Sequence, residues 1–293
     1  MNHLELTNKT ILITGAAGFI GANLVMKLIK TGEPMKLVGL DNMNDYYDVS
    51  LKEYRLAEIE KLVAENEQVD WWFIKGDLAD KALIDSAFED YQFDIVVNLA
   101  AQAGVRYSIT NPDAYINSNI IGFYNIPSTG LRFFTVYGPA GRPDMAYFGF
   151  TNKLIKGEAI QIFNYGNCKR DFTFVDDIVE GVMRVMQGAP ERKTGEDGLP
   201  LPPYAVYNIG NSSPENLLDF VDILQQELVR AEVLPTDYNF EEHKKLVPMQ
   251  PGDVPVTYAD TSALERDFSF KPSTSLREGL RRFAEWYKSF YIC

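Results

Sequence analysis

The sequence predicts an α/β fold: a doubly wound parallel sheet followed by a smaller α/β C-terminal domain. Three observations predict it. Short β-branched runs alternate with amphipathic stretches through the first half, the pattern of βαβ units. A glycine-rich turn, Thr14-Gly15-Ala16-Ala17-Gly18-Phe19-Ile20-Gly21, follows the first of these runs and opens a helical pattern. Beyond about residue 128 the rhythm changes to shorter, less regular elements. The expected division is residues 1–136, with about 175–210 returning to that part, and residues 137–293 for most of the second domain.

In chain order, Lys9 to Thr14 reads as the first strand, and Phe19 to Lys30 as a helix with Ile20, Leu24 and Leu28 on one face. Lys36 to Asp41 is a second strand, followed by a charged helix from Leu51 to Asn66. Trp71 to Gly76, Lys81 to Tyr91 and Asp94 to Ala100 continue as strand, helix and strand, and Pro112 to Ile126 reads as a further helix. Ser128 to Tyr137 is expected as one strand running into Gly138-Pro139, then a helix from Tyr147 to Lys156. Ile160 to Phe174 looks like a hairpin turning at Asn164 to Asn167. Helices at Val175 to Gln187 and Pro214 to Arg230 flank a strand at Val206 to Ile209, with a Gly/Pro-rich loop between Gly188 and Pro203. Short strands and the helix Leu276 to Tyr291 end the chain.

Composition narrows the functional classes. A chain of 293 residues, 46% hydrophobic and 13% aromatic, is long enough for one large core or two modest ones. The formal net charge of −13, with Lys and Arg scattered, argues against nucleic acid as a partner. Cys168 and Cys293 suggest neither a disulfide framework nor a metal site, so no metal is expected. No run approaches the ~18 apolar residues of a membrane span, and a cytoplasmic location is expected.

A lone glycine pattern is weak, and context decides it. Gly15, Gly18 and Gly21 lie between a strand ending at Thr14 and a helix starting near Phe19, where bare amides and a helix N-terminus can hold a diphosphate. About twenty residues beyond the last glycine, the second strand ends in Asp41 and Asn42, placing a carboxylate for the adenosine ribose hydroxyls. The next basic residue is Lys52, so nothing nearby obviously neutralises a 2′-phosphate, and NAD is favoured over NADP.

The spacing G-x-x-G-x-x-G, with this strand–turn–helix, resembles the Rossmann domain of extended short-chain dehydrogenases/reductases. The resemblance implies that Asp77 and Leu78 meet the adenine, and that Leu99, Ala100, Ala101 and Gln102 line the cofactor beyond the fourth strand. Asp77 reads equally well as a cap for the helix that follows. Further strings extend the likeness over nearly the whole chain: Ala100-Ala101-Gln102-Ala103-Gly104-Val105-Arg106-Tyr107-Ser108, Leu131-Arg132-Phe133-Phe134-Thr135-Val136-Tyr137-Gly138-Pro139, Gly141-Arg142-Pro143-Asp144, Arg170-Asp171-Phe172-Thr173-Phe174-Val175-Asp176-Asp177 and Gln250-Pro251-Gly252-Asp253-Val254. Together they are similar to UDP-glucuronate 4-epimerases. A UDP-uronate carries a diphosphate and a carboxylate, oxyanions that a planar guanidinium fits. The resemblance places Arg142 and Thr135 at the uronate carboxylate, Arg170 at the diphosphate and Asp253 at the uridine ribose, with Arg106 a further candidate. Each arginine also reads as a surface ion pair, with Asp144 or Asp171 as its partner. Phe172 reads as core if it points inward and as a uracil stack if it does not.

The resemblance also implies a reaction. A tyrosine with a lysine four residues later on a helix, and a Ser or Thr from the preceding strand, would remove the 4-hydroxyl proton while hydride moves to the nicotinamide. A 4-keto sugar would then turn over and take the hydride back on its other face. In the family this segment lies between the helix corresponding to Pro112–Ile126 and the strand matching Leu131-Arg132-Phe133-Phe134. Here Ile126 runs straight into Pro127-Ser128-Thr129-Gly130-Leu131, so a central strand–helix unit is expected to be missing and no catalytic residue is assigned. Tyr165 and Lys169 have the right spacing, but Gly166-Asn167 between them favours a turn, and they follow the sugar-binding strand. The expected activity is therefore NAD-dependent 4-epimerisation of UDP-glucuronate to UDP-galacturonate. An inactive NAD and UDP-sugar binder, a UDP-glucuronate decarboxylase and a nucleotide-sugar dehydratase are the alternatives. Homodimers of the family use the Tyr/Lys helix, so a homodimer is expected only if that helix is present.

Overall fold

A computed structural model describes residues 2–102, 111–121, 130–189, 193–194, 200–201, 205–250 and 253–292. The chain divides into two compact units, Met1–Gly130 with Val182–Val206, and Leu131–Gly181 with Tyr207–Cys293.

The first unit is built on β1 (Thr10–Thr14), β2 (Met35–Asp41), β3 (Val69–Lys75) and β4 (Ile95–Asn98). They pair in parallel in the order β3-β2-β1-β4. Helix α1 (Phe19–Ile29) connects β1 to β2, α2 (Ser50–Ala64) connects β2 to β3, and α3 (Lys81–Tyr91) connects β3 to β4. Parallel neighbours require such crossovers. β2 is buried along its length except for Lys36, as expected of a strand covered on both faces. Leu24, Val25, Leu28 and Ile29 line the buried face of α1, each contributing about 1.5–3 kcal/mol by leaving water. Leu12, Val38, Leu40, Leu78 and Ile84 form a core on which Phe88, Phe93 and Val96 pack. Asp80 caps α3 by accepting from the Leu83 N–H.

Among the described residues β4 is hydrogen-bonded on one side only, to β1. Its sequence, Ile-Val-Val-Asn, carries no charge. Pro112–Tyr115 is helical and continues as a π-helical turn over Ile116–Ile121. The remainder of the expected helix, to Ile126, lies outside the described residues.

The second unit contains β5 (Gly130–Phe133), β6 (Thr135–Tyr137), α4 (Ala146–Ile155), β7 (Ile160–Ile162), β8 (Lys169–Arg170), β9 (Phe172–Phe174), α5 (Val175–Met186), β10 (Val206–Ile209), β11 (Glu215–Asn216), α6 (Leu217–Arg230), β12 (Lys244–Leu246), α7 (Ser262–Phe268) and α8 (Leu276–Tyr291). Some end residues of β5, α5 and β10 belong to the first unit. Tyr147, Phe148, Phe283 and Tyr287 pack edge-on or tilted between α4 and α8.

Several expectations are corrected here. Ser128 to Tyr137 is not one strand: it breaks at Phe134, because β5 pairs with β10 whereas β6 pairs in parallel with β9. Ile160 to Phe174 is not a hairpin. The turn Phe163–Gly166 carries the chain away, and each strand takes a distant partner: β7 pairs with β12, β8 with β11 and β9 with β6. The helix expected from Pro214 begins at Leu217, because Asn216 caps it by accepting from the Leu218 N–H.

Candidate functional site

The glycine loop is shaped by close approach. Gly15 has φ +69°, and a Cβ there would sit 2.9 Å from the Ala100 backbone nitrogen. A Cβ on Gly21 would come within 2.1 Å of the Gly15 carbonyl oxygen. The loop thus lies flat against the end of β4 and the first turn of α1, backbone to backbone. No side chain caps α1, leaving amides at its N-terminus for an anion. Phe19 is buried beneath and Ile20 half-buried.

Asp41 is 6% exposed at the end of β2. Its Oδ2 accepts from the Ala17 N–H at 3.2 Å, and its Oδ1 from the Met43 N–H at 2.9 Å and Lys52 Nζ at 3.2 Å. Lys52 also donates to Asn44 Oδ1 at 3.1 Å. The expectation that nothing basic stands near Asp41 is corrected: α2 folds back so that a lysine eleven positions along the chain touches the carboxylate. One turn further along α2, Arg55 is fully buried and donates to the Ala17 carbonyl at 2.9 Å and to the Tyr47 hydroxyl at 2.8 Å. Sequence reasoning names Lys52 only as the next basic residue, without its contact to Asp41, and misses Arg55. The available signal was their separation of three on a helix, which puts two cations on one face.

Asn42 Nδ2 donates to Asp77 Oδ2 at 3.1 Å, joining the ends of β2 and β3. Asp77 is not the cap of α3; its Oδ1 accepts from the Ala79 N–H at 2.9 Å, and Asp80 does the capping. Leu78 belongs to the core. Leu99 and Ala100 are half-buried and Ala101 is exposed. The Leu99 N–H donates to the Thr14 carbonyl at 3.2 Å, and the Ala100 N–H to Thr14 Oγ1 at 3.1 Å. Gln102 is pinned by Asn119, which accepts from its N–H at 2.8 Å and donates to its carbonyl at 2.9 Å. The first unit therefore brings together Gly15, Gly21, Asp41, Asn42, Asp77 and Ala100.

In the second unit, Thr135 sits on β6 opposite Phe172, and its N–H donates to the Asp171 carbonyl at 3.1 Å. Arg170 donates to Asp253 Oδ1 at 2.6 Å, to the Lys169 carbonyl at 2.9 Å and to the Pro255 carbonyl at 3.3 Å. Two residues expected at the uridine diphosphate are thereby brought together. Arg142 forks onto Asp144, at 3.0 Å through Nε and 2.5 Å through Nη2. Arg106 lies outside the described residues. Phe172 is core, 4% exposed and stacked on Phe220 at 4.3 Å between centroids.

Asp171 is not the partner of Arg170. It is fully buried and accepts from the N–H groups of Asn211 at 2.8 Å, Ser212 at 3.0 Å and Ala259 at 2.9 Å. Successive side chains on an extended strand face opposite ways, so Arg170 and Asp171 diverge. That alternation was the signal by which the sequence could have separated them.

Tyr165 and Lys169 do not share a helix face: Asn164 and Tyr165 have φ of +51° and +53° in a turn, and Lys169 begins β8. Among the described residues no helix is long and apolar enough to cross a membrane.

Fold and loop define a dinucleotide-binding α/β protein of the extended short-chain dehydrogenase/reductase type. The pattern of the GDP-mannose 4,6 dehydratase family matches residues 12–129, and that of the NAD dependent epimerase/dehydratase family matches residues 121–210. Protein CapI of Staphylococcus aureus is 41% identical, with 96% of this chain and 99% of CapI covered. UDP-glucuronate 4-epimerase 4 of Arabidopsis thaliana is 37% identical over 96% of this chain and 76% of the relative. The structure of a UDP-glucuronic acid 4-epimerase from Bacillus cereus, in complex with UDP-glucuronic acid and NAD, superposes with a TM-score of 0.75 at 25% identity, covering 96% of this chain and all of that one. The chain belongs to the NAD-dependent epimerase/dehydratase family of extended short-chain dehydrogenases/reductases.

The alignment with CapI runs over 349 positions, more than the 293 residues present here, so that relative carries sequence with no counterpart in this chain. The first family pattern ends and the second begins within residues 121–129, where the sequence reading expects a strand–helix unit to be missing.

Proposed function

We propose that this chain is built on the scaffold of a UDP-glucuronate 4-epimerase and binds NAD and a UDP-uronate. The observation that carries the reading is 37% identity to an enzyme of that name across 96% of the chain. The residues fit the cofactor: bare amides at the start of α1 face the diphosphate, and Asp41 meets the adenosine ribose, flanked by Asn42 and Asp77. Bound NAD would accept the sugar C4 hydride and return it. Arg170 with Asp253 serves the uridine diphosphate, and Arg142 with Thr135 the uronate carboxylate. Within this reading Arg170 and Arg142 exchange their internal carboxylate partners, Asp253 and Asp144, for substrate oxyanions.

A second reading, binding without turnover, is favoured by the one Tyr-x-x-x-Lys in the sequence falling in a non-helical turn. No group described here is placed to take the 4-hydroxyl proton as a tyrosine beside a lysine would. Purified chain, its intact mass checked against 33.2 kDa, is incubated with UDP-glucuronate without added NAD, and NAD and UDP-glucuronate binding are measured in parallel. UDP-galacturonate formation establishes the epimerase. Binding of both ligands without product establishes the inactive binder. Carbon dioxide release identifies a decarboxylase, and binding of neither ligand removes the proposal. Location in the cytoplasm, and a monomer in the absence of the Tyr/Lys helix, complete the reading.

A further inference from the structure

We propose that Asp171 and Thr257 are positioning residues for the uridine diphosphate: together they fix the register that sets Asp253 against Arg170. The inference rests on the reading of Arg170 and Asp253 as the groups that meet the uridine diphosphate.

The segment from Asp253 to Ala259 runs parallel to β8. The Lys169 N–H donates to the Pro255 carbonyl at 2.8 Å, and the Thr257 N–H to the Lys169 carbonyl at 3.1 Å. A parallel ladder continues two residues on, with the Asp171 N–H on the Thr257 carbonyl and the Ala259 N–H on the Asp171 carbonyl. Here the Asp171 carbonyl accepts from the Thr135 N–H at 3.1 Å instead, because β9 pairs with β6. Side chains make the next rung: the Asp171 N–H donates to Thr257 Oγ1 at 3.0 Å, and the Ala259 N–H to Asp171 Oδ2 at 2.9 Å. Asp171 is thus the point at which the chain changes partner, and its carboxylate stands in for the carbonyl turned toward β6.

The same carboxylate anchors this rung from behind. Its Oδ1 accepts from the Asn211 N–H and its Oδ2 from the Ser212 N–H, while Ser212 Oγ donates to the Ala259 carbonyl at 2.7 Å. Ala259 is therefore held at both backbone groups, by Asp171 and by a residue that Asp171 holds. Asp171 and Ala259 are both fully buried.

Arg170 points to the opposite face of the strand, where the register of the segment decides what it meets. Its guanidinium reaches Asp253 Oδ1 at 2.6 Å and the Pro255 carbonyl at 3.3 Å. Loosening the segment moves both acceptors relative to the arginine at once. Thr135, by contrast, is held by the Asp171 carbonyl, a backbone bond that survives loss of the side chain. Loss of the side-chain rung therefore strikes the uridine diphosphate end and spares the end where Thr135 and Arg142 are read at the uronate carboxylate.

Calorimetric titration of the whole chain with UDP, UDP-glucuronate, UDP-glucose and NAD tests this, with the fold of each variant checked by circular dichroism. Thr257→Val removes the acceptor of the Asp171 N–H and weakens UDP roughly tenfold, the range for a buried donor left without its partner. Thr257→Ser restores the hydroxyl and binds UDP as wild type does. Asp171→Asn, whose one amide oxygen cannot serve Asn211, Ser212 and Ala259 together, weakens UDP by a similar factor. In each weakened variant UDP-glucuronate and UDP-glucose lose affinity in step, so their ratio is unchanged, and NAD binds as before. Thr257→Val remains informative if Asp171→Asn does not fold. A folded Thr257→Val that binds UDP like wild type, a Thr257→Ser as weak as Thr257→Val, a loss shared by NAD, or a shifted ratio of UDP-glucuronate to UDP-glucose would overturn the proposal. Wild type that binds none of the uridine nucleotides removes the reading of Arg170 and Asp253 first, and this inference with it.

Discussion

The two candidate sites handle their charged groups in opposite ways. In the first, charge converges on backbone: Asp41 and Arg55 hold the two ends of the Ala17 peptide group, and Lys52 holds Asp41. In the second, the arginines expected at the substrate close on nearby carboxylates, Arg142 on Asp144 and Arg170 on Asp253, with side chains 16–35% exposed. Under the proposed function, the difference suits a cofactor held more firmly than the substrate. A site built around fixed backbone needs no rearrangement. A site whose arginines rest on exchangeable carboxylates opens only for a stronger oxyanion.

The sharpest way to break the contrast is to disturb backbone on each side. Gly21→Ala puts a methyl 2.1 Å from the Gly15 carbonyl, with only backbone to yield. It should cost about 3 kcal/mol in urea unfolding and abolish NAD binding. Asp171→Ala leaves the Ser212 and Ala259 N–H groups without the acceptor they have here, while Asn211 keeps Thr173 Oγ1 at 3.1 Å, and should cost about 2–3 kcal/mol by the same measurement.

A smaller effect addresses the exchangeable pairs. Asp144→Asn removes the negative charge that Arg142 forks onto and should tighten UDP-glucuronate several-fold in a binding titration, worth about 1 kcal/mol. Arg142→Ala should weaken UDP-glucuronate far more than UDP-glucose, and equal losses would remove Arg142 from the uronate carboxylate. The smallest effect lies at the start of the sheet. Asp94 accepts from the Thr10 N–H at 2.9 Å and from Lys9, and the backbone bond holds its carboxyl below the usual carboxylate range. A depressed native pKa stabilises the fold above the unfolded value, near pH 4, and the benefit fades as pH falls through the native value. Asp94→Asn should therefore cost under about 1 kcal/mol at pH 7, and the gap from wild type should close on acidification.

How much of this was legible in the sequence depends on the range over which each feature is specified. Gly15, Gly21 and Asp41 could be read because strand, turn and helix are local and glycine marks the close approach. Lys52 and Arg55 could be placed on one helix face but not given their roles, because those depend on α2 lying against the loop, a tertiary fact. The break at Phe134 was hidden for a similar reason: Leu131 to Tyr137 is uniformly strand-like, and only partner choice divides it between β10 and β9. Asp171 was legible in principle from the pleat but was read beside its sequence neighbour. The gap expected after Ile126 follows from order alone, as a discontinuity in the succession of strings that the resemblance implies.

That gap bears on how the protein behaves among its own copies. β4 offers Ile-Val-Val-Asn with pairing to β1 alone among the described residues. An uncharged strand paired on one side among the described residues is the kind of edge that recruits strands from other molecules, since neither lysine nor proline interrupts it. At neutral pH the net charge of −13 keeps copies apart. Acid, which protonates carboxylates and lowers that repulsion, is then a condition under which this chain would come out of solution, and the colloidal cost of such an edge would become visible before any loss of fold.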